Sequence, residues 1–297
     1  MKKLYAHWCY SDNCGDALNP YLLHKLSGCK IVYCNYKNPN FIQELRYFIR
    51  EITHLRIPNI NKVIPPFFYR KKNVILAIGS ILDRSLPNYH IWGAGYMNKF
   101  EHAKGGKIYA VRGYYSAKKL EHEGFPFCTT YGDPALLLPI IYNPHVEKKY
   151  QYGIIPHMKD YLTISKKYPK EKIINLINKN VEDVIFQILQ CKYILSTSLH
   201  GVIIAHAYGI PALWIKNGDI NTDGIKFYDY FSSVDIPKYT GNFNMDNFID
   251  KSYEELPVSI KELMLPKKSI SEIQKKLIRV CPFEILPSIK SKVENNI

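Results

Sequence analysis

The stretch Ile194-Leu-Ser-Thr-Ser-Leu-His-Gly-Val-Ile-Ile-Ala-His-Ala-Tyr-Gly-Ile-Pro-Ala-Leu-Trp214 carries the strongest structural signal in this chain. It begins as an apolar run of strand length, turns at Ser198-Leu-His-Gly201, continues as an apolar helix and returns as a second apolar strand. Gly209 and Pro211 end the predicted helix. Ligands of open α/β sheets bind at the carboxyl edge of the strands. We therefore predict His200 at such an edge, beside a helix N-terminus that favours anions.

Strand-like and helix-like segments alternate along the rest of the chain, which predicts parallel sheets covered by helices. The length of 297 residues suits two domains of about 150 residues each. A polar, proline-bearing stretch at 143–149 separates two α/β halves with a cleft between them. The predicted strands are Leu4–Trp8, Lys30–Cys34, Val74–Ile78, His90–Trp92, Ile108–Val111, Gln151–Ile155, Ile173–Leu176, Tyr193–Ser196 and Ala212–Ile215.

The composition is that of a globular protein, with 46% hydrophobic residues. No apolar run reaches the roughly 18 residues needed to cross a membrane, and the first residues are too polar for a signal peptide. We therefore expect a cytoplasmic protein. The seven cysteines form no Cys-x-x-Cys pair, so neither a zinc site nor a disulfide framework is expected. The net charge of +14 suggests an anionic partner: nucleic acid, membrane surface or phosphorylated substrate.

Residues 41–72 hold seven Lys or Arg residues against two Glu residues. Apolar side chains fall at helical spacing between Phe41 and Leu55, and apolar, aromatic and basic residues follow up to Lys72. This composition suits peripheral docking on an anionic membrane surface. An ordinary core-facing helix followed by a loop is the alternative. Nucleic-acid binding is not expected, because the basic residues are not interleaved with a recognisable RNA or DNA motif.

Three glycine-bearing turns follow predicted strands of the first half. Asn13-Cys-Gly-Asp-Ala-Leu-Asn-Pro20 opens the first helix, where Gly15 permits a tight turn and Asp16 caps the helix or orients a sugar hydroxyl. Gly79-Ser80 and Gly93-Ala-Gly95 would bring backbone N–H groups close to a ligand, and simple turns are the alternative. Neither is a G-x-G-x-x-G motif or a P-loop, which disfavours nicotinamide cofactors and ATP.

Four further polar side chains stand at positions that suggest chemistry. Arg112 ends a predicted strand, where it is either a surface residue or a two-pronged clamp for carboxylate or phosphate. Asp133 precedes a proline and is predicted to cap a helical turn. His157 follows the first strand of the second half, where an inter-domain cleft would lie. Lys226 stands on an aromatic helix face that is either plain core or an anion site.

These segments occur in the order found in the polysaccharide pyruvyl transferase family, which the chain resembles over roughly residues 1–232. Any one motif is weak, whereas eight in order are specific. The subgroup most similar is that of the ketal pyruvate transferases of bacterial exopolysaccharide and capsule pathways. The matching segments are Asn13–Pro20, Gly79–Leu82, Trp92–Gly95, Val111–Gly113, Tyr131–Pro139, Ile155–His157, Ser196–Pro211 and Lys226–Tyr230.

The resemblance implies a GT-B-like fold in which two Rossmann-like domains face each other across a cleft. Residues 1–145 would form the acceptor and membrane-facing domain, and residues 146–297 would hold the phosphoenolpyruvate site and a helical C-terminal tail. In such a fold the amphipathic helix at 270–280 would cross back onto the first domain, and membrane contact is the less favoured alternative. The implied reaction condenses phosphoenolpyruvate with two sugar hydroxyls to give a cyclic pyruvate ketal and phosphate. No metal, and no cofactor beyond this co-substrate, is expected.

The resemblance also implies roles for individual residues. The family's essential histidine and arginine correspond to His200 and Arg112. Some relatives have a second arginine where this chain has Ser198, so Lys226 or Arg84 is expected to bind the phosphate. The phosphoenolpyruvate-binding residues implied in this way are Arg112, Ser198, Leu199, His200, Gly201, Lys226 and Arg84.

For catalysis we expect His200, with a near-neutral pKa, to protonate the methylene carbon of phosphoenolpyruvate. His157 or Asp16 would then be the base that accepts the proton of the sugar hydroxyl. The predicted acceptor-binding residues are Asn13, Gly15, Asp16, Asn19, Gly79, Ser80, Gly93 and Gly95.

By family analogy the expected acceptor is a hexose, preferably galactose ketalised across its 4 and 6 hydroxyls. It would belong to a polyprenyl-linked capsule or exopolysaccharide precursor at the inner face of the cytoplasmic membrane. Two other classes remain open: a GT-B-type glycosyltransferase that uses a nucleotide sugar, and a non-catalytic sugar- or lipid-binding module. The glycosyltransferase would bind a nucleoside diphosphate. The non-catalytic module would tolerate replacement of His200 and Arg112.

Overall fold

The first half of the chain forms a five-stranded parallel sheet. The structure is a computed structural model that describes residues 1–9, 13–34, 49–54, 72–218 and 222–295. Its first strands are β1 (Lys3–His7), β2 (Lys30–Tyr33), β3 (Val74–Leu76), β4 (Tyr89–Trp92) and β5 (Lys107–Ala110). They are ordered β2-β1-β3-β4-β5, and every pair is parallel. The strand order therefore reverses between β1 and β3, and a ligand crevice is expected outside such a switch point.

The second half forms a three-stranded parallel sheet. Its strands are β6 (Tyr150–Ile155), β7 (Cys191–Ser196) and β8 (Ala212–Trp214), in that order. Ile173 makes a single parallel bridge to Ile154 on the side of β6 that faces away from β7. The predicted strand Ile173–Leu176 is reduced to this bridge. The chain thus steps outward and then returns across β6, so a second switch point lies between β6 and β7.

Helices cover both sheets, and local sequence sets their ends. Asn13 caps the first helix by accepting a hydrogen bond from the N–H of Gly15 at 2.8 Å. Gly28 ends the same helix in the left-handed region, with φ of 67°. The helices are α1 (Cys14–Ser27), α2 (Tyr114–His122), α3 (Leu138–Ile141), α4 (Tyr161–Lys167), α5 (Val181–Leu189), α6 (Leu199–Ala207), α7 (Ile225–Val234), α8 (Val258–Lys261), α9 (Ile270–Arg279) and α10 (Pro287–Asn295).

One hydrophobic cluster contains side chains from both halves of the chain. Leu18 and Leu22 of α1 belong to the same buried cluster as Val184 of α5. At its edge the Tyr21 hydroxyl donates to the Glu182 carboxylate at 2.7 Å. The structure confirms an α/β protein with parallel sheets. The division into two GT-B-like domains at residue 145 stays a prediction.

The C-terminal segment returns to the first half of the chain. The indole N–H of Trp92, at the end of β4, donates to the carbonyl of Leu277 in α9 at 3.0 Å. The N–H of Leu286 donates to the carbonyl of Leu26 in α1 at 2.8 Å. The crossing predicted for the amphipathic helix at 270–280 is therefore confirmed.

The predicted membrane-docking segment 41–72 falls almost entirely outside the described residues, so its role stays a prediction. Within the part of the chain that the structure describes, no helix combines the length and the apolar character needed to cross a bilayer.

Candidate active site

The candidate active site lies where the switch points of the two sheets approach each other. Gly15, in the first turn of α1, lies directly against the imidazole of His200, so a Cβ at position 15 would overlap the ring. The N–H of Cys14 donates to the carbonyl of Leu176 at 2.7 Å, which ties the start of α1 to the second half. Glycine is therefore needed at position 15 because it leaves the space that His200 occupies.

His200 is a neutral imidazole in positively charged surroundings. Burial, followed by the charges of Lys226 and Arg112, lowers the pKa of His200 to about 3. Its side chain keeps partial exposure, and its ring has no hydrogen-bond partner among the described residues. The near-neutral pKa expected from the sequence is wrong for the ligand-free site. The main reason is burial of the ring, and the cations suited to an anionic substrate oppose its protonation further.

The start of α6 is shaped by the serines of the preceding turn. The Ser196 hydroxyl accepts a hydrogen bond from the N–H of Ser198 at 3.0 Å and lies 2.9 Å from the carbonyl oxygen of the same residue. Ser198 is the N-cap residue, but its side chain makes no capping hydrogen bond. A Cβ at Gly201 would come within 2.6 Å of the Ser196 hydroxyl, so glycine lets α6 pack closely on β7. The uncapped helix start is suited to an anion.

Lys226, in the first turn of α7, is a buried cation for which the described part of the chain offers no counter-ion. Its side chain is only 4% exposed, and its ammonium group has no hydrogen-bond or ion-pair partner within the described ranges. Burial, followed by the charges of Arg112 and Lys159, lowers the pKa of Lys226 to about 8, although Asp160 acts in the opposite direction. A buried charge without a partner destabilises the folded state. An anionic ligand beside Lys226 would remove that penalty.

Arg112, just after β5, has the partners that Lys226 lacks. Its side chain is fully buried. Nε donates to the Asp229 carboxylate at 3.1 Å, Nη1 donates to the Ser80 hydroxyl at 2.6 Å, and Nη2 donates to the carbonyl of Tyr96 at 2.7 Å. Three of the five N–H donors of the guanidinium are thus engaged inside the protein.

Asp229, one turn after Lys226 on α7, is held as firmly as its arginine partner. One carboxylate oxygen accepts the N–H of Ser116 at 2.8 Å, and the other accepts the Ser116 hydroxyl at 2.6 Å. Arg112 therefore belongs to an internal network and acts on the site through its charge, which lowers the pKa of both His200 and Lys226. Its direct contact with phosphoenolpyruvate stays a prediction.

His157, beyond the end of β6, is held by a chain of hydrogen bonds. Its N–H donates to the Thr197 hydroxyl at 2.7 Å, and that hydroxyl donates to Asp160 at 2.7 Å. Burial, followed by Lys226 and Lys159, lowers the pKa of His157 to about 4. Nδ1 accepts the N–H of Lys159 at 3.2 Å, so the neutral ring carries its proton on Nε2. In this tautomer Nε2 is a donor, and the role of base stays a prediction.

The polar residues predicted for acceptor binding on α1 differ in what they do. Asn13 caps the helix through Gly15, and Asp16 lies in its first turn. Asn19 is buried, and its amide both donates to the carbonyl of Ile78 at 3.0 Å and accepts the N–H of Ile78 at 2.9 Å. Asn19 therefore fastens α1 to the chain beyond β3, a structural role that the sequence did not reveal.

The glycine turns of the first sheet surround Arg112. Ser80 bridges Gly95 in parallel register, and a Cβ at Gly95 would overlap the Arg112 guanidinium. Gly79 and Gly93 have φ of 124° and 99°, a region that other residues rarely adopt. These turns bring the backbone close to the buried arginine. Their contact with an acceptor stays a prediction.

Two further predicted residues have clear positions. Arg84 donates to the Cys9 sulfur at 3.0 Å, beyond the end of β1. Of the two candidates to replace the family's second arginine, only Lys226 acts on the pKa of His200. Asp133 accepts the N–H of Ala135 at 2.9 Å, which confirms the predicted cap, and burial raises its pKa to about 6.

The sequence did not indicate the residues that hold the side chains of the site in position. Ser116 and the carbonyl of Tyr96 orient Arg112 and Asp229, and Thr197 with Asp160 fixes the turn at His157. The one available signal was the position of Thr197 within the Ser-Thr-Ser turn, since turn hydroxyls often bond to nearby backbone.

The family model described as polysaccharide pyruvyl transferase matches residues 13–219 of the chain. The match begins after β1 and includes Arg112 and His200. The chain therefore belongs to the polysaccharide pyruvyl transferase family, and the resemblance seen in the sequence is confirmed. Membership indicates a transferase of the polysaccharide pyruvyl type.

A full-length relative is also similar to this chain. It is an uncharacterized protein of Acanthamoeba polyphaga mimivirus, 27% identical over 94% of this chain and 95% of its own length. No solved structure shows a significant match.

Proposed function

We propose that this protein transfers pyruvate from phosphoenolpyruvate to two hydroxyls of a hexose, forming a cyclic ketal and releasing phosphate. The observation that carries the proposal is Lys226, a buried cation with no counter-ion among the described residues, beside the neutral His200. Phosphoenolpyruvate carries a phosphate and a carboxylate, so its site needs fixed cations and N–H donors. Lys226, the charge of Arg112 and the uncapped start of α6 supply these.

In the proposed reaction a sugar hydroxyl adds to the central carbon of phosphoenolpyruvate while a proton reaches the methylene carbon. That carbon becomes the methyl group of pyruvate. A second hydroxyl of the same sugar then displaces phosphate from the central carbon and closes the ketal ring. One hydroxyl proton is balanced by the new methyl hydrogen, and the other leaves with phosphate.

His200 is the proposed donor of the proton to the methylene carbon. Without a ligand its pKa is about 3, too low for a proton donor near neutral pH. The two anionic groups of phosphoenolpyruvate would offset the charges of Lys226 and Arg112 that keep this pKa low. Binding of the donor would therefore raise the pKa of His200, against the effect of burial, at the step where the proton is needed. His157 or Asp16 is the proposed base for the sugar hydroxyl.

The acceptor and its location extend the same proposal. We infer a galactose 4,6-ketal on a lipid-linked capsule or exopolysaccharide precursor, with residues 41–72 docking on the anionic inner face of the membrane. The net charge of +14 supports an anionic partner. No step of the scheme requires a metal ion.

The direct test is phosphate release from phosphoenolpyruvate with and without a lipid-linked galactoside. We expect acceptor-dependent release by the wild type, with product mass raised by pyruvate less water. His200→Ala should abolish the release, whereas exchange of the exposed histidine in His145→Ala should leave it unchanged. If no hexose acceptor supports release and a nucleoside diphosphate binds tightly, the nucleotide-sugar glycosyltransferase becomes the better explanation.

A further inference from the structure

Two neighbouring pockets open beyond the end of β8, next to the candidate active site. The first has a volume of about 200 Å³ and is lined by Trp214, Tyr228 and Asn242, among others. The second has a volume of about 120 Å³ and is lined by Tyr168 and Phe243, among others. Lys216 lines both pockets. We refer to the two pockets together as the Lys216 groove.

The groove adjoins the site through two elements. Gly224 and Phe227 line the first pocket and flank Lys226 in the chain. Asn217 lines the second pocket and hydrogen-bonds to Asp160, which in turn accepts the hydroxyl of Thr197 in the turn before α6. A ligand chain that reaches His200 could therefore continue along the groove.

The lining of the groove suits a neutral, hydroxyl-rich ligand. The side chains of Lys216, Tyr228 and Asn242 have no hydrogen-bond partner within the described residues and remain available for a ligand. Aromatic rings beside polar side chains are the surfaces on which sugar rings are held, because a sugar offers both C–H faces and hydroxyl edges.

Charge and size argue against a nucleotide in the same place. Two of the N–H groups at the start of α7 are already bonded: Gly224 donates to the Thr222 hydroxyl at 3.2 Å, and Ile225 donates to the Asp223 carboxylate at 3.0 Å. A diphosphate would meet this carboxylate without gaining these N–H donors. At about 30 Å³ per water molecule, the volume of the first pocket, about 200 Å³, equals that of roughly seven waters, which suits one sugar ring better than a whole nucleotide.

We propose that the first pocket of the Lys216 groove binds one sugar unit of an oligosaccharide acceptor, next to the unit that is modified. The proposal rests on the pyruvyl transfer proposed above. It assigns recognition of the glycan chain to the second half of the protein, in addition to the residues predicted on α1. The groove would make the enzyme prefer an oligosaccharide to a single sugar.

The test compares one-ring and two-ring acceptors. The probes are the methyl glycosides of galactose, glucose and mannose, together with lactose, maltose and mannobiose. In Asn242→Ala and Tyr228→Phe we expect the KM for the productive disaccharide to rise about tenfold. The KM for the one-ring acceptor and for phosphoenolpyruvate should not change. Lys149→Ala, which alters an exposed lysine before the start of β6, is the matched surface control.

A binding measurement separates this proposal from the proposed function. Saturation-transfer NMR with the disaccharides needs no turnover, and we expect a signal in the wild type that Asn242→Ala and Tyr228→Phe weaken. If the disaccharide signal is weakened by both substitutions but phosphoenolpyruvate is never consumed, sugar binding in the groove is supported and the proposed pyruvyl transfer is refuted. Equal KM changes for one-ring and two-ring acceptors, or no disaccharide binding at all, would overturn the groove. Circular dichroism of the variants excludes unfolding as the cause.

Discussion

Arg112 after β5 and Lys226 at the start of α7 are both buried cations of one site, but they differ in their hydrogen-bond and ion-pair partners. Arg112 is neutralised by Asp229 and bonded at Nε, Nη1 and Nη2. Lys226 has no such partner within the described ranges. At the edge of the first sheet, Arg112 and Ser80 are engaged in internal bonds, whereas His200 and Lys226 of the second half have no hydrogen-bond partner among the described residues. The first half of the chain thus fixes the geometry of the site, and the second half supplies the groups that can bind a ligand.

The largest effect on stability should come from breaking the ion pair between Arg112 and Asp229. Arg112→Met leaves Asp229 buried without its counter-ion, which should lower the free energy of unfolding by about 3–5 kcal/mol. Urea denaturation at pH 7 measures this loss. Adding Asp229→Asn to Arg112→Met should restore part of the stability, because the remaining amide is neutral. If the single variant is as stable as the wild type, Arg112 is not held as an internal ion pair.

Replacement of Lys226 should change the stability of the ligand-free protein in the opposite direction. The pKa of Lys226 is lowered from 10.5 to about 8, which corresponds to a penalty of about 3 kcal/mol on the charged folded form at pH 7. Lys226→Met should therefore raise the ligand-free stability by up to that amount and abolish the thermal shift caused by phosphoenolpyruvate. Lys251→Met, at an exposed lysine, should change neither quantity. A variant that is less stable but still shifted by phosphoenolpyruvate would contradict an anion site at Lys226.

Replacement of Asn19 tests whether this residue of the first half has a structural role. Asn19→Ala leaves the buried N–H and carbonyl of Ile78 without partners and should cost about 2 kcal/mol of stability. Thermal denaturation measures the loss, with Asn143→Ala at an exposed position as the control. A raised KM for the acceptor at unchanged stability would instead support the acceptor contact that the sequence suggested.

The last effect is a change in pH dependence, which is small at each step of pH. The pKa of His200 is about 3 in the folded protein and 6.5 when unperturbed. Between these values the unfolded chain binds a proton that the folded chain does not, so stability falls as pH falls from 6.5 toward 3. His200→Gln should reduce this slope by up to about 1.4 kcal/mol per pH unit. Urea denaturation across this range, with His145→Gln as the control, checks it, and an unchanged slope would mean that residue 200 does not titrate this way.

Much of the fold was predictable because buried parallel strands read as continuous apolar runs. The run Tyr193–Ser196 lies inside β7, and the turn after it brings His200 to the start of α6 as expected. The strand predicted at Ile173–Leu176 failed because an apolar run does not reveal whether it finds a partner beyond one bridge.

The electrostatics of the site were not predictable, because they depend on pairs distant in the chain. Asn19 meets Ile78 across 59 positions, and Arg112 meets Asp229 across 117 positions. A motif indicates that Arg112 stands at a strand end, but only the fold shows that a carboxylate already occupies its side chain. For the same reason the low pKa of His200 could not be read from its own neighbours in sequence.

The hydrophobic cluster shared by the two halves has a consequence for motion. Opening the halves as rigid bodies would expose Leu18, Leu22 and Val184 to water and separate Leu277 from Trp92. A large apolar interface of this kind resists hinge bending. Substrate exchange is therefore expected to depend on side chains and loops at the rim, which move in nanoseconds to microseconds, more than on slower domain opening.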